Sequence, residues 1–132
     1  MRAVIIPKLG SVEVLQSADV PEPVPGDNDL LIEVKAGSLN PIDFKVRGGA
    51  FAKNRPMPII LGFDVSGVVR RTGSAVRGFQ AGDEVYASPS LVRNGANAEL
   101  VCVDARACAH KPKTLDHIQA GALPLVAFRH GL

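Results

Sequence analysis

The sequence predicts a mainly β domain with tight turns and a few short helices, and three observations support this prediction. The chain has 132 residues, of which 46% are apolar and 21% are charged, so its length and composition suit one buried core. Its 13 glycines and 10 prolines are spread along the chain as turn signals and are not collected into one linker. Between these turn signals lie short runs rich in Val, Ile and Leu, which are typical of strands.

Several strand regions follow from these runs. Residues Arg2–Ile6 and Val12–Leu15 are expected to form a first hairpin around the intervening glycine. Residues Leu30–Ala36 begin as a continuous apolar run and then alternate, a pattern typical of a central strand. The strand Phe63–Arg70 contains Gly67, which indicates a bulge or the close approach of another backbone. Shorter strands are predicted further on, at Glu84–Ala87 and Ala98–Val103.

Two short helices are predicted from their capping signals. Residues Asn40–Arg47 are expected to be helical, with Asn40 as the N-cap and a proline at the first helical position. A second helix is expected at Leu115–Leu123, with Thr114 as its cap and a proline directly after it.

Charge and targeting signals exclude several classes of function. The formal net charge is +2 and the basic residues are scattered, so no nucleic-acid partner is expected. No apolar run approaches the roughly 20 residues of a membrane span, so no membrane partner is expected either. The spacing of Cys102 and Cys108 matches neither a CxxC motif nor a zinc-finger half-site, and both are interpreted as packing residues. These features indicate a cytoplasmic protein.

One group of polar residues interrupts the apolar runs at the predicted strand ends and the first helix start. It consists of Ser38, Asn40, Asp43, Asp64 and Ser66. Two interpretations stay open: these side chains converge on a cleft, or Asn40 only caps a helix and Asp64 only accepts from backbone amides. The chain has no GxGxxG, P-loop, GxSxG or HExxH motif, and its histidines are expected at the surface.

A series of motifs gives a resemblance to a known family. In chain order they are Lys35-Ala-Gly-Ser-Leu-Asn-Pro-Ile-Asp43, Asp64-Val-Ser-Gly-Val68, Ala81-Gly-Asp-Glu-Val-Tyr86, Gly95-Ala-Asn-Ala-Glu99 and Ala120-Gly-Ala-Leu-Pro124. Their order and spacing resemble the medium-chain dehydrogenase/reductase superfamily over nearly the whole chain. The resemblance implies a GroES-like, partly open β-barrel with short peripheral helices over residues 1–124, the catalytic, substrate-side domain. Residues 125–132 are expected to begin the connection to a Rossmann cofactor domain that this chain lacks.

The resemblance also separates the zinc-dependent from the zinc-free branches. Zinc enzymes of the superfamily carry a ligand cysteine at the position of Asn40 and a His-Glu pair where this chain has Phe63 and Asp64. An amide and a phenyl ring are not zinc ligands of the usual kind. The segment Ser88–Asn97 also lacks the four cysteines of the structural zinc lobe. The chain therefore resembles the zinc-free quinone oxidoreductase branch.

This branch implies NADPH-dependent reduction of a quinone or an activated C=C bond by hydride transfer. The residue roles it implies are catalytic for Asn40, Asp43 and Asp64, cofactor-binding for Asn40 and Pro41, and substrate-pocket for Phe44, Phe51 and Phe63. Several relatives present a tyrosine to the substrate in the region of Phe51, so proton delivery is expected to fall to water. Without a cofactor domain, the chain alone is expected to be inactive and to bind NADPH weakly, and the full-length enzyme is expected to be a homodimer.

A second class of function stays open. The same domain could act as a non-catalytic interaction module, either as a subunit resembling the ring-forming co-chaperonin or as a partner of a separately encoded nucleotide domain. The size of the oligomer in solution distinguishes these alternatives.

Overall fold

A computed structural model describes residues 1–124, which contain eight strands and two α-helices. The strands are β1 (Arg2–Ile6), β2 (Gln16–Asp19), β3 (Asp29–Gly37), β4 (Ile59–Ile60), β5 (Val65–Thr72), β6 (Glu84–Ala87), β7 (Leu100–Asp104) and β8 (Cys108–His110). The helices are α1 (Pro41–Arg47) and α2 (His117–Ala120), and short 3-10 helices lie at Val12–Val14 and Ala105–Ala107. The described part of the chain is mainly β with short helices, as predicted.

The larger sheet has five antiparallel strands in the order β7-β3-β5-β6-β8. Strand β3 lies inside this sheet and its residues Leu30 and Ile32 are fully buried, which confirms the predicted central strand. The close approach at Gly67 is also confirmed, because a Cβ atom there would overlap the carbonyl oxygen of Glu33 on β3. Strand β5 begins at Val65, two residues later than predicted.

The smaller sheet has the order β2-β1-β4, and it corrects the predicted first hairpin. Strand β1 is confirmed, but its hairpin partner is Gln16–Asp19 and not Val12–Leu15. Residues Val12–Val14 form a 3-10 helix, closed by a hydrogen bond from the Val14 N–H to the Ser11 carbonyl at 3.1 Å. The turn buries Val14 against the core, and this long-range contact overrides the strand-like alternation of the segment.

The second half of the chain confirms two strands and adds one. Strand β6 has the predicted bounds, and β7 overlaps the predicted region but begins two residues later, at Leu100, and ends one residue later, at Asp104. Strand β8 was not predicted, because three residues are too short to show an alternating pattern. It pairs with β6 after the 3-10 helix at Ala105–Ala107, where the Asp104 carboxylate accepts the Arg106 N–H at 2.9 Å.

Of the two helices, α1 is confirmed and α2 is shorter than predicted. Helix α1 has Asn40 as its N-cap and a proline at its first position. Helix α2 begins at His117 because Asp116 and not Thr114 caps it: the Asp116 carboxylate accepts the Gln119 N–H at 2.7 Å. The Gln119 side chain accepts the Asp116 N–H in return, at 3.1 Å. The predicted connection at 125–132 lies outside the described residues.

Two main apolar clusters form the core. One lies on the larger sheet and includes Leu30, Val65 and Val85; the other packs α1 onto the smaller sheet and includes Val46 and Phe63. Neither strand order closes on itself within residues 1–124, in agreement with a partly open barrel. No helix in this part of the chain is long and apolar enough to cross a membrane.

Candidate functional site

The candidate site lies where β3 and β5 meet, because these strands are antiparallel neighbours. Gly37 at the end of β3 pairs with Val65 at the start of β5. The residues that follow Gly37 therefore lie beside the residues that precede Val65. The two backbones approach closely: a Cβ atom on Gly37 would lie 2.8 Å from the Asp64 carbonyl oxygen. This contact brings Asn40 and Asp64 together although they are 24 residues apart in sequence.

The carboxylate of Asp64 connects the polar side chains of the site. Its Oδ2 accepts a hydrogen bond from Asn40 Nδ2 at 2.8 Å and another from the Ser38 hydroxyl. Asp64 is 1% exposed and Asn40 is 9% exposed, so the pair is shielded from water. Since a carboxylate accepts only from the nitrogen end of an amide, this bond fixes the orientation of the Asn40 side chain.

A second buried carboxylate, Asp43, holds the backbone around the site. Its Oδ2 accepts the Asn40 N–H at 2.9 Å and its Oδ1 accepts the Gly62 N–H at 3.0 Å. Burial raises the pKa of this carboxyl above its ordinary value, and the nearby Asp64 raises it further, while the two backbone bonds oppose the shift. Asp43 therefore ties the start of α1 to the segment before β5.

The fifth residue of the predicted cluster, Ser66, belongs to a different network. Its hydroxyl lies 2.6 Å from Nδ1 of His117, and the other ring nitrogen of that histidine lies 2.9 Å from Oε2 of Glu84. The expectation that the histidines lie at the surface is wrong for His117, whose side chain is 21% exposed and bonded at both nitrogens. No spacing in the sequence indicates this network, because its members come from β5, α2 and β6.

The three phenylalanines predicted to line a substrate pocket differ in accessibility. Phe44 on α1 is 57% exposed and Phe51, just after α1, is 53% exposed. The guanidinium carbon of Arg47 lies 5.4 Å from the centre of the Phe44 ring, at cation–π distance. Phe63 is fully buried in the core cluster beneath α1 and offers no surface to a ligand in this structure. The pocket roles of all three stay predictions.

The side chains of the site include groups that are not usual metal ligands. They include the Asn40 amide, whose nitrogen donates to Asp64, and the phenyl ring of Phe63, beside the two carboxylates of Asp43 and Asp64. Across residues 1–124, no group of three His, Cys, Asp or Glu side chains is arranged to hold a metal. Burial raises the pKa of Cys102 to about 11 and that of Cys108 to about 12, so both thiols stay protonated near neutral pH.

A cavity formed by the described residues does not coincide with this site. It has a volume of about 450 Å³ and lies between β1, β7 and the proline-rich segment before β3, with Met1, Val20, Pro58 and Leu100 among its walls. None of the predicted site residues lines it. The cavity and the polar network at the ends of β3 and β5 are therefore separate features of the described residues.

The fold of the described residues, with two open antiparallel sheets and two short α-helices, is that of a GroES-like domain. The chain belongs to the alcohol dehydrogenase GroES-like domain family, whose model matches residues 26–114. Its relatives are quinone and alkenal oxidoreductases of the medium-chain dehydrogenase/reductase superfamily, which confirms the resemblance found in the sequence.

Relatives and solved structures give the extent of the similarity. The chain is 40% identical over 133 residues to a chloroplastic NADPH-dependent alkenal/one oxidoreductase of Arabidopsis thaliana, covering 95% of this chain and 34% of that protein. It superposes on a quinone oxidoreductase from Coxiella burnetii with a TM-score of 0.88 at 34% identity, covering 98% and 44% of the two chains. It superposes on a putative zinc-dependent alcohol dehydrogenase from Rhizobium etli with a TM-score of 0.90 at 40% identity, covering 97% of this chain and 38% of that chain. The chain thus spans about a third of the length of its curated relative.

Proposed function

We propose that this chain is the substrate-side part of an NADPH-dependent oxidoreductase that reduces quinones or the activated C=C bonds of enones. The observation that carries the proposal is the Asn40 amide, held in one orientation by the buried Asp64 at the joint of β3 and β5. The similarity to an NADPH-dependent alkenal/one oxidoreductase and a quinone oxidoreductase supports the substrate class.

In this proposal the residues of the chain bind and orient. Asn40 and Pro41 hold the nicotinamide end of NADPH, which supplies the hydride when it is bound. Asp64 orients the Asn40 amide and Asp43 fixes the backbone on both sides of it. Phe44 and the neighbouring Phe51 offer exposed apolar surface to a flat substrate. Correct placement of the two reactants is the main contribution of the protein to such a reaction.

The reaction also needs a proton at the carbon or oxygen that becomes negatively charged. Neither Phe44 nor Phe51 carries a hydroxyl group, and the Ser38 hydroxyl donates to the Asp64 carboxylate, which makes it a poor acid. Water therefore delivers the proton in the proposed mechanism.

In this proposal the enzyme works without zinc, because the side chains at the positions of the zinc ligands are not usual zinc ligands. At the two positions where the zinc branch has its ligands, this chain has an amide that donates to Asp64 and the buried ring of Phe63. One structural neighbour is named as a putative zinc-dependent alcohol dehydrogenase, so the metal content of this protein is worth measuring directly. One equivalent of bound zinc in the purified protein would contradict the proposal.

NADPH oxidation and NADPH binding test the proposal together. The protein at its full natural length is expected to oxidise NADPH in the presence of a benzoquinone or an α,β-unsaturated ketone. Asn40→Ala should lower kcat/KM about a hundredfold. Asn28→Ala, an exposed asparagine away from the site, is the matched control and should have no effect.

The 132-residue chain alone is expected to show neither turnover nor tight binding. Micromolar binding of NADPH by this chain would refute that expectation, and a full-length protein inactive with both substrates would refute the proposed activity. A stable ring of subunits in solution would favour the interaction module instead. The cytoplasmic location and the homodimer stay predictions, and the relative from Arabidopsis thaliana is chloroplastic.

A further inference from the structure

A chain of hydrogen bonds outside the candidate site joins three elements of the fold. Ser66 on β5 contacts Nδ1 of His117 on α2 at 2.6 Å, and Nε2 of His117 contacts Glu84 on β6 at 2.9 Å. Ser66 is fully buried, His117 is 21% exposed and Glu84 is 53% exposed. The chain of bonds therefore runs from the inside of the larger sheet to its surface, through the first residue of α2.

The chemistry of the partners sets the direction of both bonds. Because the Glu84 carboxylate can only accept, Nε2 of His117 donates to it. In the neutral imidazole Nδ1 is then the acceptor, and the buried Ser66 hydroxyl donates to it. Both nitrogens of the ring are thus used in holding α2 on the sheet, and the buried hydroxyl has its partner.

A lysine strengthens the attachment of the segment that leads into α2. The side chain of Lys111 is 5% exposed, and its ammonium group donates to the carbonyl oxygens of Leu115 and Pro112. It also lies 3.9 Å from Glu84 Oε1, so this one carboxylate faces both Lys111 and His117. The segment from Lys111 to His117 is therefore held at both of its ends by the same residue of β6.

Helix α2 packs directly behind the strands that carry the candidate site. It lies against β3 and β5, the strands that lead to Asn40 and away from Asp64. The contact is close: a Cβ atom on Gly121, just after α2, would lie 3.2 Å from the Ala36 carbonyl oxygen. Ala120 is fully buried at this contact, whereas Ile118 is 78% exposed on the outer side.

We infer that His117 is a positioning residue for the proposed reaction. Through Ser66 and Glu84 it fixes α2, and α2 in turn fixes the direction of the chain that follows this domain. The inference rests on the proposed function, in which the chain continues from α2 into the part that binds NADPH. A loosened α2 would misplace the nicotinamide relative to Asn40 and leave the contacts to the rest of NADPH in place, and a misplacement of about 1 Å can cost a hundredfold in rate.

Substitutions of His117 in the full-length protein separate the two bonds. His117→Leu removes both bonds. His117→Gln places an amide near the position of Nε2 and keeps the contact to Glu84; His117→Asn places one near Nδ1 and keeps the contact to Ser66. His110→Gln is the matched control, because His110 contacts the Gly78 carbonyl and stacks on Phe79 and lies on β8.

Two measurements on each variant test the inference. Hydrogen exchange of the Ala120 and Gly121 amides, which bond to Asp116 and His117 within α2, should accelerate at least tenfold in His117→Leu and less in the two amide variants. In the same variant kcat should fall at least tenfold while Kd for NADPH stays unchanged, and the control should alter neither.

Unchanged exchange in His117→Leu would show that these bonds do not hold α2, and faster exchange with unchanged kcat would show that α2 does not position the reaction. Either result overturns the inference. An inactive wild-type protein would instead refute the proposed function, and the exchange measurement would still report on the attachment of α2.

Discussion

Replacing Asp43 with alanine removes the partner of two buried backbone donors. The Asn40 and Gly62 N–H groups, which bond to Asp43 at 2.9 and 3.0 Å, would both lose their acceptor. An unsatisfied buried donor costs about 1–3 kcal/mol. Removal of a carboxyl that burial disfavours, as its raised pKa indicates, offsets part of this cost. The expected net loss is about 2–4 kcal/mol in the free energy of unfolding.

Thermal and urea unfolding of the purified protein measure this loss. At roughly 3–4 °C per kcal/mol for a domain of this size, Tm should fall by about 6–16 °C. Asp83→Ala is the matched control, because Asp83 accepts one backbone N–H, that of Gln80 at 2.9 Å, in an exposed turn. The control should lose less than about 1 kcal/mol. Equal losses in the two variants would refute the reasoning that burial makes the Asp43 bonds valuable.

The raised pKa of Asp43 also predicts a dependence on pH. A carboxyl whose pKa is higher in the folded than in the unfolded state contributes most at low pH, and its contribution declines as pH rises through the folded value. The difference in stability between the wild type and Asp43→Asn should therefore be larger near about pH 4 than near about pH 7. A difference that grows with pH would show that the backbone bonds to the ionised carboxylate outweigh burial.

Two further predictions concern the core. A pKa of about 11 for Cys102 and about 12 for Cys108 leaves about one thiolate in a thousand or fewer near about pH 8. The native protein should therefore react with a disulfide reagent far more slowly than the unfolded chain. Complete labelling of the native protein within minutes would contradict this. Gly67→Ala forces a methyl group into the Glu33 carbonyl oxygen and should cost more than about 4 kcal/mol in the free energy of unfolding. Gly26→Ala, where the nearest atom lies at 3.3 Å, should keep a near-native Tm, and equal Tm values for the two variants would argue against the clash.

The sequence predicts those elements of this fold that are specified by neighbouring residues. Helix α1 is predictable because its cap, its first proline and its acidic third residue all lie within four positions of Asn40. The central strand β3 is predictable because its apolar run is long. The Val12–Val14 segment is not, because its alternation suits a strand and only the burial of Val14 against distant residues selects the 3-10 helix.

The candidate site shows the same division between local and distant information. Its members at Ser38, Asn40, Asp43 and Asp64 could be selected as polar residues at strand ends and a helix start. Their pairing could not, since it depends on the register of β3 and β5. The network around His117 gave no signal at all, because its three members are separated by long stretches of chain and are joined only when α2 folds back onto the sheet.

The two buried carboxylates of the site, Asp43 and Asp64, have different roles. Asp43 accepts from backbone N–H groups on both sides of the strand joint, so it sets where the loop lies. Asp64 accepts from the side chains of Ser38 and Asn40, so it sets how they point. Burial and the nearby Asp64 raise the cost of ionising Asp43, and an apolar pair would avoid that cost, but it could not order polar side chains. The arrangement of the two carboxylates therefore orients the Asn40 amide at an electrostatic cost to stability.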